Sequence, residues 1–145
     1  MALHIFTIGY EATTMAEFLA ELSRAGVERV IDVRALPLSR RPGFSKSPLR
    51  AALTEAGIDY VHLKALGTPA DGRAAARAGR LEELRRIYAA QLSMPEAIVQ
   101  AGQMLELAAE KNSALLCYER EPGQCHRSLL LQAAAPDARV THLFP

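Results

Sequence analysis

Tyr10, Asp32, Arg34, His62, Cys117 and Glu119 each fall at or just beyond the end of a short apolar run, and Cys125-His126-Arg127 opens the last amphipathic stretch of the chain. A thiol, an imidazole, a carboxyl group and several guanidinium groups brought to one place could bind an anion, move protons and supply a nucleophile. Cys125 stands at the expected start of a helix beside His126 and Arg127, an environment that lowers a thiol pKa. It is read as a candidate nucleophile, with a capping or packing role as the alternative. Glu119 and His126 are read as proton carriers, Glu119 also as an arginine partner or an orienter of the imidazole. Arg34, Arg40, Arg41 and Arg127 are read as anion ligands. Asp32 either belongs to that site or pairs structurally with Arg34. Tyr10 is expected to stack on a base or donate a hydrogen bond through its hydroxyl.

Spacing excludes other chemistries. Cys117-x7-Cys125-His126 offers too few ligands for a structural zinc site, so neither a metal nor a cofactor is expected. The Cys-x5-Arg loop of thiol phosphatases and sulfurtransferases is absent, since Gly123 lies six residues after Cys117 and Leu131 six after Cys125. Cys117, inside an apolar run, reads as an inert small hydrophobe. His62, in an alternating run, is more simply a surface or core histidine than a catalyst, and Lys64 follows it at the same strand end.

The elements that must position these groups follow from periodicity and punctuation. Apolar runs at 3–8, 27–33, 58–63, 114–118 and 139–144 read as strands. Helices are expected from Thr14, which has capping-box spacing to Glu17, to Ala25; from Ser47-Pro48 to Ala56; over 81–92; over 95–111; and over 125–135, stopped by Pro136. The segment 34–43 holds two prolines and a glycine and should be a long loop, while 64–80, rich in Ala, Arg and Gly, suggests a flexible flap. Alternation of this kind predicts one α/β domain over residues 1–145, a mainly parallel five-stranded sheet with helices on both faces. In such sheets ligands bind beyond the carboxyl ends of the strands, where the polar residues above are gathered.

Composition supports this frame without adding chemistry. The chain has 145 residues, 50% hydrophobic and 23% charged, with 17 Lys+Arg against 16 Asp+Glu for a net charge of +1. That balance argues against a general polyanion binder and, with the apolar content, excludes disorder, collagen and a disulfide knot. No uncharged apolar stretch is long enough to span a membrane and the first residues lack a signal-peptide pattern, so a cytoplasmic protein with reduced thiols is expected. Arginine outnumbers lysine 14 to 3 beside 26 alanines, a bias that a GC-rich genome alone would produce for the surface positions.

Taken together, Thr7-Ile-Gly-Tyr10, Asp32-Val-Arg34, Pro37-Leu-Ser-Arg-Arg41 with Gly43-Phe44, Gly57-Ile-Asp-Tyr60, Leu66-Gly67, Cys117-Tyr-Glu119 and Cys125-His-Arg127 resemble the domain of unknown function 488 family. The resemblance implies a single compact α/β domain and the same pocket, but no reaction. Thr68-Pro69 departs from it, where a further glycine is usual. The leading expectation is a small enzyme acting on a phosphate-bearing ligand, a nucleotide or nucleic acid. The alternatives are a non-catalytic nucleic-acid-binding module and a thiol-redox or sulfur-transfer protein using Cys117 and Cys125. Apolar positions on the helices from 81 to 111 could serve core or dimer interface, so the sequence assigns no oligomeric state.

Overall fold

The computed structural model describes residues 3–124 and 126–145. Five strands, β1 (His4–Gly9), β2 (Arg29–Asp32), β3 (Asp59–His62), β4 (Ser113–Cys117) and β5 (Arg139–Leu143), form one sheet in the order β3-β2-β4-β1-β5. Every pairing is parallel. Parallel strands need crossovers, and six α-helices among the described residues supply them: α1 (Met15–Arg24), α2 (Lys46–Glu55), α3 (Ala70–Arg77), α4 (Leu81–Leu92), α5 (Pro95–Glu110) and α6 (His126–Ala134). Because helices cover both faces, the inner strands are apolar on both sides. Phe6, Ile8, Ala114 and Leu116 meet Phe18 and Leu22 of α1 and Leu49 and Leu53 of α2 on one face. Ile5, Ile31 and Leu115 meet Tyr88, Met104, Leu130 and Leu131 on the other. No helix among the described residues is long and apolar enough to cross a membrane.

Local signals account for most boundaries. The Thr14 hydroxyl accepts from the Glu17 amide at 3.1 Å while the Glu17 carboxylate accepts from the Thr14 amide at 2.9 Å, so the capping box opens α1 as its spacing requires. The helix expected to begin at Ser47-Pro48 instead has Ser45 at its cap position. The Ser45 hydroxyl does not cap it; it ties down the preceding loop through the Ser39 amide and carbonyl. Pro48 still falls in the first turn, where backbone N–H groups have no helical partner to lose.

The segment 64–80 departs most from the sequence reading. A single 3-10 turn at Lys64–Leu66 leads into α3, which packs on α4. Its buried positions are Gly72 and Ala75, residues too small to mark an apolar face in sequence. They let the helix lie close to its neighbour: a Cβ on Gly72 would sit 2.4 Å from Thr68 Cγ2 and 3.2 Å from Ile87 Cγ2.

Candidate anion-binding site at the strand carboxyl ends

The chain leaves β1 and β2 toward the face of α1 and α2, but leaves β4, which lies between them, toward α6 on the opposite face. Connections that diverge from neighbouring strands open a crevice at their carboxyl ends. The loops there approach closely. The Tyr118 carbonyl accepts from the Tyr10 and Glu11 amides at 3.2 and 2.9 Å. A Cβ on Gly9 would lie 1.9 Å from the Glu119 carbonyl oxygen, so only glycine permits this contact. Gly67 does the same for the far wall, where a Cβ would fall 2.1 Å from the Ala35 amide nitrogen.

At the base of the crevice Asp32, wholly buried, accepts from the Arg34 amide, Nε and Nη2 at 3.1, 2.9 and 2.7 Å and from the Tyr60 hydroxyl at 2.5 Å. Arg34 also donates to the Tyr10 hydroxyl at 3.2 Å and the Phe44 carbonyl at 2.7 Å. Burial works against the Arg34 charge, but the bonds and charge of Asp32 outweigh it and hold the guanidinium above its ordinary pKa. Burial, reinforced by the Asp32 charge, likewise raises the Tyr60 phenol. The structural ion pair is therefore the role that geometry supports for Asp32. Breaking such a pair by removing one partner typically costs about 3–5 kcal/mol. His62 joins the same frame through a ring N–H donated to the Arg34 carbonyl at 2.7 Å.

Above this base lies a cavity of about 620 Å³, whose lining includes Arg34, Arg40, Arg41, Arg73 and Arg77 against the carboxyl groups of Glu11 and Glu119. Arg41 is held in place by bonds to the Thr13 carbonyl, and Arg73 donates to the Thr68 carbonyl at 2.8 Å. Among the described residues, the guanidinium groups of Arg40 and Arg77 have neither an ion-pair nor a hydrogen-bond partner. The sequence reading found Arg40 and Arg41 and missed Arg73 and Arg77. Their i, i+4 spacing, which puts two guanidinium groups on one face of a helix, was the available signal.

Glu119 lines the cavity, and burial raises its pKa despite hydrogen bonds that include one with the Cys117 thiol. Cys117 is therefore more than core packing: it reaches the cavity wall and touches the acid. His126 also lines the cavity, but its Nε2–H is donated to the Val33 carbonyl at 2.6 Å, and burial pushes its pKa down to about 4. It is a neutral imidazole that ties the start of α6 to the end of β2. Tyr10 is only 3% exposed, with its ring stacked on Phe44 at 4.7 Å and set edge-on to Tyr118 at 5.4 Å. No face of it is laid open for a base as expected.

Arg127 departs from its expected place. Its side chain is fully buried, is absent from the cavity wall, and donates to the Glu119 and Arg120 carbonyls at 2.7 and 3.0 Å. The guanidinium is tied through Nη2 to two carbonyls of the loop that carries Glu119, while its buried Nε and Nη1 have no hydrogen-bond partner among the described residues. Cys125, the expected nucleophile, lies outside the described residues, and with it the question of a Cys117–Cys125 bridge.

None of the curated proteins and none of the solved structures matches the chain. The family model described as Domain of unknown function DUF488 matches residues 14–134, from the cap of α1 to the last turn of α6 and across every wall of the cavity except the β1 loop, and the chain belongs to that family.

Proposed function

We propose that this protein is a small enzyme acting on a phosphate-bearing ligand, a nucleotide or a nucleic-acid end, bound in the cavity at the strand carboxyl ends. The observation that carries the proposal is the surplus of guanidinium groups on that wall, with Arg40 and Arg77 unmatched by any carboxylate among the described residues. An unpaired arginine fork suits phosphate oxygens in two-pronged geometry, and the volume falls within the range of small-molecule sites. Glu119 is the proton carrier: burial keeps its carboxyl group protonated to higher pH than an exposed glutamate, so it can donate to a leaving oxygen or nitrogen. Arg34, locked by Asp32, and His126, neutral on Val33, set the walls in which that transfer would occur.

Calorimetric titration with inorganic phosphate and nucleoside phosphates tests the binding step. The wild type should bind, and Arg77→Ala and Arg40→Ala should each weaken binding about tenfold or more, as loss of a charge-assisted bond requires. Chromatography of the same mixtures, extended to short oligonucleotides, tests the chemical step. Glu119→Gln should retain binding and lose turnover by roughly two to four orders of magnitude. Arginine-dependent binding with no turnover of any of these compounds would leave a binding module in place of an enzyme, and absence of phosphate binding would overturn both.

A further inference from the structure

Tyr118, Leu36 and Leu38 are 45%, 51% and 71% exposed, among eight large apolar side chains that the described residues leave open to solvent. All three line the arginine cavity. Leaving a tyrosine ring and two leucines in water beside unpaired guanidinium groups is costly unless a ligand with an apolar part covers them. Tyr118 is held on one side by its edge contact with Tyr10, and its backbone is fixed by the two amides that bond its carbonyl. Its ring is thus a rigid platform whose placement does not depend on a ligand.

We infer that Tyr118, flanked by Leu36 and Leu38, seats a planar ring, and that the ligand of this cavity is a nucleoside phosphate whose base lies on that seat while Arg40, Arg73 and Arg77 hold its phosphate. The inference rests on the anion-site reading above and adds the substrate class to it. A sugar phosphate would leave the apolar seat wet. An alkyl phosphate would cover it without using the flatness of the ring. A nucleotide uses both halves, because stacking requires only a π-face and the arginines require only phosphate oxygens. Tyr10, buried between Phe44 and Arg34, acts from beneath as support for Tyr118. The platform residue lies in the Cys117-Tyr-Glu119 segment, one position from the acid, so a base seated there is carried next to the proton carrier.

The test is a ladder of ligands on the intact protein: inorganic phosphate, ribose 5-phosphate, hexyl phosphate and the common nucleoside monophosphates, titrated into wild type, Tyr118→Phe and Tyr118→Leu. A nucleotide should bind at least tenfold more tightly than ribose 5-phosphate or hexyl phosphate. Tyr118→Phe should keep that advantage and Tyr118→Leu should lose most of it, the loss falling between about 5-fold and 150-fold for one stacked base. Inorganic phosphate should bind all three proteins alike, which also shows that the variants are folded. Equal affinity for nucleotide and hexyl phosphate, or a nucleotide advantage that survives in Tyr118→Leu, overturns the ring seat while the anion site stands. Failure of every phosphate compound to bind overturns the anion site itself.

Discussion

At the residue scale, burial decides what each polar group can do. Arg127 and Arg77 carry the same charge, but one is fully buried against two carbonyls and the other is exposed on a helix at the cavity wall. Their variants should separate accordingly. Arg127→Ala removes bonds to a charged donor worth about 1.5–3 kcal/mol and leaves two carbonyls unpaired, so its melting temperature without ligand should fall by several degrees. Its affinity for a phosphate-bearing ligand should change less than that of Arg77→Ala, and Arg127→Lys should recover part of the stability. The buried His126 gives a second prediction, with a sign fixed by linkage. Its folded pKa of about 4 lies below the ordinary 6.5, so between these values the unfolded chain takes up a proton that the folded one refuses. Stability from this group is full above about pH 6.5 and is lost as pH falls toward 4, by at most roughly 3 kcal/mol. Denaturant titrations from pH 7 to pH 4.5 should show a shallower decline for His126→Gln than for wild type. Parallel declines would show that the imidazole is not the group that charges on unfolding.

At the element scale, α3 determines whether the cavity is closed or is only a notch in a sheet edge. It carries Arg73 and Arg77, and what positions it is the close approach of Gly72 to Thr68 and Ile87. Gly72→Ala would place a methyl group 2.4 Å from Thr68 Cγ2, too close to stand. Overpacking of this kind costs about 1–3 kcal/mol and must be relieved by a shift of Thr68, of Ile87 or of the helix itself. The variant should therefore lose both melting temperature and phosphate affinity, measured side by side by thermal scan and calorimetry. Ala78→Gly, at the C-cap of the same helix, lowers stability without adding bulk and serves as the control. If the two variants lose affinity equally, the position of α3 does not matter to the ligand.

At the scale of the whole molecule the charge balance is nearly even, +1 overall, yet five of the 14 arginines line one cavity. The field that a ligand meets is local, and its two unpaired guanidinium groups, Arg40 and Arg77, are exposed. Salt should therefore weaken binding of a nucleoside phosphate, as screening of exposed charges requires. Saturation of the cavity should stabilise the fold as a unit, because its lining is drawn from the loops after β1, β2 and β4 and from the helix α3. At a free concentration 100 times the dissociation constant the gain is about 2.7 kcal/mol, seen as a rise of several degrees in the melting midpoint. Repeating the scan at about 50 mM and about 500 mM salt, where the Debye length is on the order of 14 Å and 4 Å, tests both statements. A midpoint unmoved by ligand at low salt would contradict them.

Much of this architecture was legible in the chain before any coordinates. Five apolar runs, the Thr14–Glu17 capping box and the Pro-rich segment after Asp32 specify strands, helix and loop through local stereochemistry, and their alternation leaves a parallel α/β sheet as the way to bury them. The meeting of Tyr10, Arg34, Glu119 and His126 around one cavity followed too, because parallel strands present all their carboxyl ends at one edge. What local signals could not carry was the fate of individual side chains across that edge. Tyr10 and Tyr118 are both aromatic residues beyond strand ends; only the stacking of Phe44 from a distant loop buries one, and its absence leaves the other exposed. Arg34 is sequestered by Asp32, the pairing that their spacing already offered, and by the Phe44 carbonyl and Tyr10 hydroxyl that the fold brings to it, and Arg127 by the carbonyls of the loop before its helix. The helix bearing Arg73 and Arg77 shows in the sequence only as an i, i+4 arginine pair, because glycine and alanine mark a packing face by how closely a neighbour can approach and not by hydrophobicity. Strand ends and caps are decided within a few residues of sequence, whereas burial is decided by neighbours that only the tertiary fold brings together.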